Sequence, residues 1–299
     1  MTPGPGPRLR DLIADAEAVL SGAGVDSARA DAELLAAHAA GTDRSRLAVL
    51  ALTGDPIDDD VAARLRDLVT ARARRIPLQH LTGTAAFGPV TVAVGPGVFT
   101  PRPETEALLD WASRQLTRGL TGDAPLIVDA CTGSGALALA LAHDHPGAQI
   151  IAIDDSPEAL GYTRRNTAGT AIRVVEGDVT DPGLLAELDG RVDLVVCNPP
   201  YIPDGAELDP EVVDHDPHHA LFGGPDGMSV IPAVAAAAAR WLCPGGAVGI
   251  EHDDTTSAQT REAVARTEAF DDILARADLT GRPRFVTAIR RSAEKMRHP

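Results

Sequence analysis

The chain has 299 residues, 44% hydrophobic but only 3% aromatic, so its core must be built from Ala, Val, Leu and Ile. That length suits one large domain or two ordinary ones. A formal net charge of -16 argues against broad binding to nucleic acid or anionic membranes, which needs basic surface. Lys295 is the only lysine, so nearly all positive charge is Arg. Cys131, Cys197 and Cys243 lack metal-ligand spacing and suit a reducing cytoplasm. No stretch has the apolar length of a membrane span, and MTPGPGPRLR has no apolar signal core.

Residues 1–7 are rich in Pro and Gly and read as a frayed end. Leu9, Leu12, Ile13, Ala16, Val19 and Leu20 recur at helical spacing up to Ser21-Gly22. A second helix after Asp26-Ser27 turns Ala30, Leu34, Leu35 and His38 inward, and Gly41 stops it. A short segment covers Arg44 to Leu50. A fourth helix follows Asp58-Asp59-Asp60, buries Val61, Leu65, Leu68 and Val69, and ends in Arg72, Arg74 and Arg75. Residues 1–76 therefore read as a helical domain, its Arg cluster as a helix C-terminal feature or, less simply, a patch for an acidic partner.

Residues 77–100 read as a β-hairpin linker. Val90, Val92 and Val94 alternate with Thr91 and Ala93, between the turns Phe87-Gly88-Pro89 and Gly95-Pro96-Gly97. Residues 101–299 read as an α/β domain. Arg102 and Glu104 stand in a rigid turn, Pro101 to Glu106, before a helix through Leu108, Leu109 and Trp111. That turn is either a capped helix start or a wall of a substrate cleft.

From Leu126 the pattern is strand, helix, strand. Strand Leu126 to Ala130 leads into Cys131-Thr132-Gly133-Ser134-Gly135, where glycine lets backbone approach a ligand closely, and then into the helical run Ala136 to Ala142. Strand Gln149 to Asp154 ends in two acids, about 20 residues past the loop, where a carboxylate can hold ribose hydroxyls. The loop lacks the full dinucleotide fingerprint and any Gly-Lys-Ser/Thr, which points to a nucleoside cofactor without a pyrophosphate. Strand Ile172 to Asp178 ends in Asp178-Val179, placed to face a base or to form a turn. Strand Asp193 to Cys197 must stop at Asn198-Pro199-Pro200-Tyr201, because prolines cannot donate to a ladder. Helix Ser229 to Trp241, strand Gly246 to His252 and a terminal hairpin (Asp271 to Asp278, Arg284 to Ile289) complete the domain. Glu251-His252-Asp253-Asp254 reads as a solvated strand end, with a catalytic role for Glu251 or His252 the less favoured alternative, and residues 291–299 as a mobile tail.

A Gly loop after one strand, an acid after the next and Asn-Pro-Pro-Tyr after another resemble the class I S-adenosylmethionine-dependent methyltransferases acting on planar nitrogen. The stretches PLQHLTGTAAFG, VFTPRPETE, DACTGSGALALALA, CNPPYIP, ALFGGPDGMSVI and DLTGRPRFV narrow this. From about residue 77 to about residue 290 the chain is similar to the peptide-chain release factor glutamine N5-methyltransferases. The resemblance implies a Rossmann-like, seven-stranded α/β domain behind an N-terminal helical bundle. It implies S-adenosylmethionine over Cys131, Thr132, Gly133, Ser134 and Gly135, with Asp154 on the ribose and Asp178, Val179 and Asn198 beside it. The substrate it implies is the Gln of a Gly-Gly-Gln loop in a release factor, beside Asn198, Pro199, Pro200 and Tyr201, with Arg102 and Glu104 in the cleft wall and the helical domain holding the factor. His80, Val179 and Asp253 depart from the family's usual Tyr, aromatic and Gly.

The residues support this chemistry independently. A carboxamide nitrogen is a poor nucleophile because its lone pair is delocalised into the carbonyl. The Asn198 side-chain oxygen and the Pro199 carbonyl are acceptors able to orient its N–H bonds, and Tyr201 can stack on the amide plane. In-line methyl displacement needs positioning and desolvation, with no metal. An adenine-N6 nucleic-acid methyltransferase, a protein methyltransferase with another substrate, and a non-catalytic binding module are the competing readings. The net charge opposes the first, and the intact Gly loop and Asn-Pro-Pro-Tyr oppose the last.

Overall fold

The computed structural model describes residues 7–53, 56–117 and 124–292. The chain divides into two compact units: residues 1–84 with 209–215, and residues 85–208 with 216–299.

The first unit holds α1 (Leu9–Gly22), α2 (Ala28–Ala39), α3 (Arg44–Thr53), α4 (Asp59–Ala73) and the one-turn α5 (Leu78–Thr82). The Asp58 carboxylate caps α4 by accepting the Asp60 N–H. Leu9, Leu20, Leu35, Leu47 and Leu65 meet in a closed aliphatic core. Three expected core positions differ: Val19 and Leu34 are exposed, and so is His38. The reason for α2 is Asp31. It lies on the buried face, 4% exposed, because the Arg72 Nε donates to it at 2.7 Å. Arg72, the basic residue in the last turn of α4, is thus also a buried anchor. It also donates to the Ile76 carbonyl and to Glu211. Arg75 donates to Asp209, so residues 209–215 belong with these helices. The helix α5 was not foreseen within the expected hairpin linker, where Pro77 starts it and Gly83, at φ +73°, ends it.

The second unit opens with the hairpin β1 (Thr84–Phe87) and β2 (Val90–Ala93), a 3-10 turn at Pro103–Thr105 and α6 (Glu106–Thr117). Then come β3 (Leu126–Ala130), α7 (Ala136–Asp144), β4 (Gln149–Asp154), α8 (Pro157–Asn166), β5 (Arg173–Glu176) and β6 (Val192–Cys197). Beyond the short helices α9 (Pro210–His215, in the first unit) and α10 (His218–Leu221) lie α11 (Ile231–Trp241), β7 (Leu242–Glu251), α12 (Ser257–Arg266), β8 (Phe270–Ala277) and β9 (Pro283–Arg290). The helices α8 and α12 are not among the elements expected from the sequence: both are polar overall with few large apolar residues, so no apolar run marks them off from the flanking turns.

One seven-stranded sheet runs in the order β5-β4-β3-β6-β7-β9-β8, parallel except for β9, which is antiparallel to both neighbours. Both faces are covered, so its central strands are buried along most of their length, as their apolar runs require. Val128, Val195 and Trp241 pack in one core, and Ile127, Leu141 and Leu194 in the other. The order reverses between β3 and β6. The C-terminal ends of these strands are where an open α/β sheet leaves a crevice. The Pro/Gly-rich start, residues 1–6, and the tail from 293 lie outside the described residues.

Candidate active site

A cavity of about 250 Å³ lies at that reversal, within the second unit. Its cofactor side is built from β3 and β4. After β3 the chain turns through Cys131, at φ +55°, and Gly133, at φ +57°. A Cβ added at Gly133 would meet nothing within 4 Å, so this backbone faces open space. Gly135 is different: at φ +80° it starts α7, and a Cβ there would lie 3.0 Å from Thr163 Cγ2. Asp129 anchors the loop from below. Its Oδ2 accepts from the Thr132 hydroxyl and the Ala138 N–H, and burial pushes its carboxyl up to about 7.

Asp154 closes the loop from the side. Its Oδ2 accepts the Gly133 N–H at 2.8 Å and its Oδ1 accepts the Ser156 N–H at 3.0 Å. Burial raises its pKa, and those two N–H groups oppose the rise. Asp155 also lines the cavity, but its carboxylate meets the His219 ring at 2.8 Å. That ion pair raises the imidazole pKa. Asp178 lines the cavity and closes a turn, its Oδ1 accepting from the Thr180 N–H and hydroxyl, the hydroxyl bond first in lowering its pKa. Val179 lines the cavity from within the core.

The opposite side is assembled from distant segments. Asn198 and Pro200 line the cavity, as do Phe99, Pro101 and Thr105. The Asn198 Nδ2 donates to Thr105 Oγ1 at 3.2 Å, and that hydroxyl donates to Glu251 Oε2 at 2.9 Å. Glu251 is 1% exposed, and burial pushes its carboxyl up to about 8, with the Thr105 bond and Arg284 opposing. It is therefore no solvated strand end. Pro199 and Tyr201 are outside the cavity lining, as is Gly135. Tyr201 packs on the sheet core with Arg284 near its hydroxyl, and burial raises its phenol pKa.

Two glycines brace Asn-Pro-Pro-Tyr from behind. A Cβ at Gly223 would lie 2.6 Å from the Pro200 carbonyl oxygen, and one at Gly227 would lie 2.2 Å from that of Tyr201. The Ile202 N–H donates to Leu221 and the Gly223 N–H donates to Ile202. Neither Arg102 nor Glu104 reaches the cavity lining. Arg102 donates to Asp216 and lies over the Phe99 ring, 5.0 Å from its centroid. It thus supports Phe99, a wall residue. Glu104 is exposed. Asp253 closes the turn after Glu251: its carbonyl meets His252 Nδ1 and its carboxylate accepts from Thr255. Sequence reasoning missed Thr105, Glu251, Phe99, His219, Gly223 and Gly227. Only the two glycines carried a signal, in the Gly-rich stretch FGGPDGM.

The open Gly133 backbone, the adjoining carboxylates of Asp154 and Asp178 and the apolar walls suit a nucleoside with a small polar tail. The sheet order and this cavity define a class I S-adenosylmethionine-dependent methyltransferase. Family models match along the chain, "PrmC N-terminal domain" over residues 11–83 and "Methyltransferase small domain" over residues 89–216. The release factor glutamine methyltransferase of Mycolicibacterium smegmatis is 63% identical over 284 residues, covering 95% of this chain and 98% of its own length. That of Mycobacterium tuberculosis H37Rv is 62% identical over 286 residues, covering 94% and 91%. That of Streptomyces coelicolor is 44% identical over 278 residues, covering 92% and 96%. The chain belongs to the release factor glutamine methyltransferase family. No helix among the described residues is long and apolar enough to cross a membrane.

Proposed function

We propose that this enzyme methylates the side-chain amide nitrogen of the Gly-Gly-Gln glutamine in a peptide-chain release factor, in the cytoplasm, with Asn198 as the residue that orients the amide. The observation carrying this is the Asn198 carboxamide at the cavity wall with its Nδ2 already engaged by Thr105. S-adenosylmethionine, when bound, supplies an electrophilic methyl group. Cys131, Thr132, Gly133 and Ser134 hold its tail by backbone, Gly135 sets the loop, and Asp154 receives the ribose hydroxyls. Asp178 and Val179 border the base.

The acceptor glutamine lies against Asn198 and Pro200. The Asn198 Oδ1 and the Pro199 carbonyl accept its two N–H bonds, which favours a pyramidal nitrogen and aims the lone pair at the methyl group. Tyr201, packed against the sheet core, holds the loop's shape, and amide stacking on its ring is the finer part of this proposal. Phe99, braced by Arg102, excludes water on the acceptor side. Residues 1–76 hold the factor, and no nucleic acid takes part.

The test is methyl transfer from labelled S-adenosylmethionine to a purified release factor and to its loop Gln→Ala variant, with excess duplex DNA as competitor. Label on the first alone, unaffected by DNA, is expected. Equal label on both removes the glutamine from the account, and strong inhibition by DNA would favour the adenine reading.

A further inference from the structure

Glu251 is a fully buried carboxyl that the reaction above does not use. It stands at the end of β7, Thr105 at the end of the 3-10 turn and Asn198 just past β6, yet their side chains form one continuous chain. Its polarity follows from proton counting. A hydroxyl has one proton to donate. Thr105 gives that proton to Glu251 Oε2, which accepts as the carbonyl oxygen of the neutral carboxyl while the carboxyl's own proton sits on Oε1, so toward Asn198 the hydroxyl offers only lone pairs. Asn198 must then present its Nδ2, and its Oδ1 is the group left for a ligand. The reverse orientation would aim an NH2 at the substrate's NH2, donor against donor, and would leave the amide nitrogen neither oriented nor polarised.

We propose that Thr105 and Glu251 are positioning residues that set which edge of the Asn198 carboxamide faces the acceptor amide. This rests on the functional reading above. The carboxyl end of the chain is held in place by its surroundings. Glu251 is flanked by Arg284 on β9, by Glu104 on the same turn as Thr105, and by Tyr201 and Cys197 on the segment bearing Asn198. Buried polar networks specify one arrangement when every member is satisfied. A lone threonine hydroxyl beside Asn198 could rotate to accept from the Nδ2 edge or to donate to the Oδ1 edge.

The chain has two asparagines, Asn166 and Asn198, so selective 15N-asparagine labelling yields two side-chain amide pairs. In the cofactor-bound enzyme, Thr105→Val is expected to shift the Asn198 pair and leave the Asn166 pair in place, while Thr105→Ser keeps both. Glu251→Leu should shift the Asn198 pair as Thr105→Val does, and Glu251→Gln, which retains an acceptor, should restore it. In turnover with a release factor, Thr105→Val should lose about 10- to 100-fold in kcat, with KM for the factor and Kd for the cofactor within about twofold. Thr105→Ser should stay within about threefold of wild type. An unmoved Asn198 pair in Thr105→Val, wild-type kcat in that variant, or a serine variant as slow as the valine one overturns the proposal. A wild-type enzyme that leaves the factor's glutamine unmodified would remove the substrate reading instead, and the amide spectra would then decide the relay on their own.

Discussion

The two halves of the cavity are built on opposite plans. The cofactor half is local: Asp129, the turn through Gly133, and Asp154 come from one strand-helix-strand unit, and backbone N–H groups tie them together. The acceptor half draws Thr105, Asn198, Glu251 and the Gly223–Gly227 loop from four separate places; side chains join the first three, and backbone contacts hold the loop behind them. Backbone anchoring suits a cofactor common to many reactions. Side-chain anchoring lets the acceptor half be tailored to one substrate amide. The two halves should therefore fail separately, one in cofactor affinity and the other in turnover.

The largest effect should come from the acceptor half. Asn198→Ala removes an acceptor aimed at the reacting amide and should cost about 10²- to 10³-fold in kcat. Single-turnover methyl transfer measures this, and a loss smaller than tenfold would remove Asn198 from its role. Gly227→Ala should follow. Its φ of +73° disfavours a side chain, and its Cβ would displace the Tyr201 carbonyl. A loop shifted by about 1 Å costs on the order of 10²-fold in turnover. Cofactor titration should show nearly unchanged affinity, and equal losses in both would blur the two halves.

Asp154→Asn tests the other side. An amide cannot accept from both the Gly133 and Ser156 N–H groups, because one oxygen becomes a donor. Cofactor Kd should weaken about 10- to 50-fold, while kcat at saturating cofactor stays within about threefold. Calorimetric titration beside saturation kinetics separates the two.

The smallest effect is on stability. The Glu251 carboxyl titrates at about 8 in the folded protein against 4.5 for the free group. Folding therefore takes up a proton between these values, and stability falls as pH rises through that window. Glu251→Gln cannot ionise. Its Tm relative to wild type should climb by a few °C between about pH 5 and pH 9, read by thermal unfolding across that range. A constant difference would mean that Glu251 does not titrate in this window.

How much was legible follows the same division. The Gly loop, the acid after β4 and Asn-Pro-Pro-Tyr each form a short continuous signal, because backbone geometry there demands particular residue types. The sheet strands were legible for the same reason, their burial on both faces leaving unbroken Val, Ile and Leu runs. Thr105 and Glu251 were not, since a threonine within a Pro-rich turn and an acid at a strand end read as surface until partners 93 and 146 residues away fold beside them. Arg102 and Glu104 drew attention as the charged members of their turn, while the neutral Thr105 between Glu104 and Glu106 carries the contact. In the first unit, periodicity turned Leu34 inward, but the buried Asp31–Arg72 pair rotates α2 away from that face.

A double-mutant cycle across the cavity tests the central claim most directly: cofactor Kd and single-turnover kcat for Asp154→Asn, Asn198→Ala and both together. Two independent halves predict that the first variant moves Kd, the second moves kcat, and the pair adds within about 0.5 kcal/mol in each quantity. A coupling of several kcal/mol, or an Asn198→Ala enzyme that loses cofactor affinity in proportion to its turnover, would contradict the account.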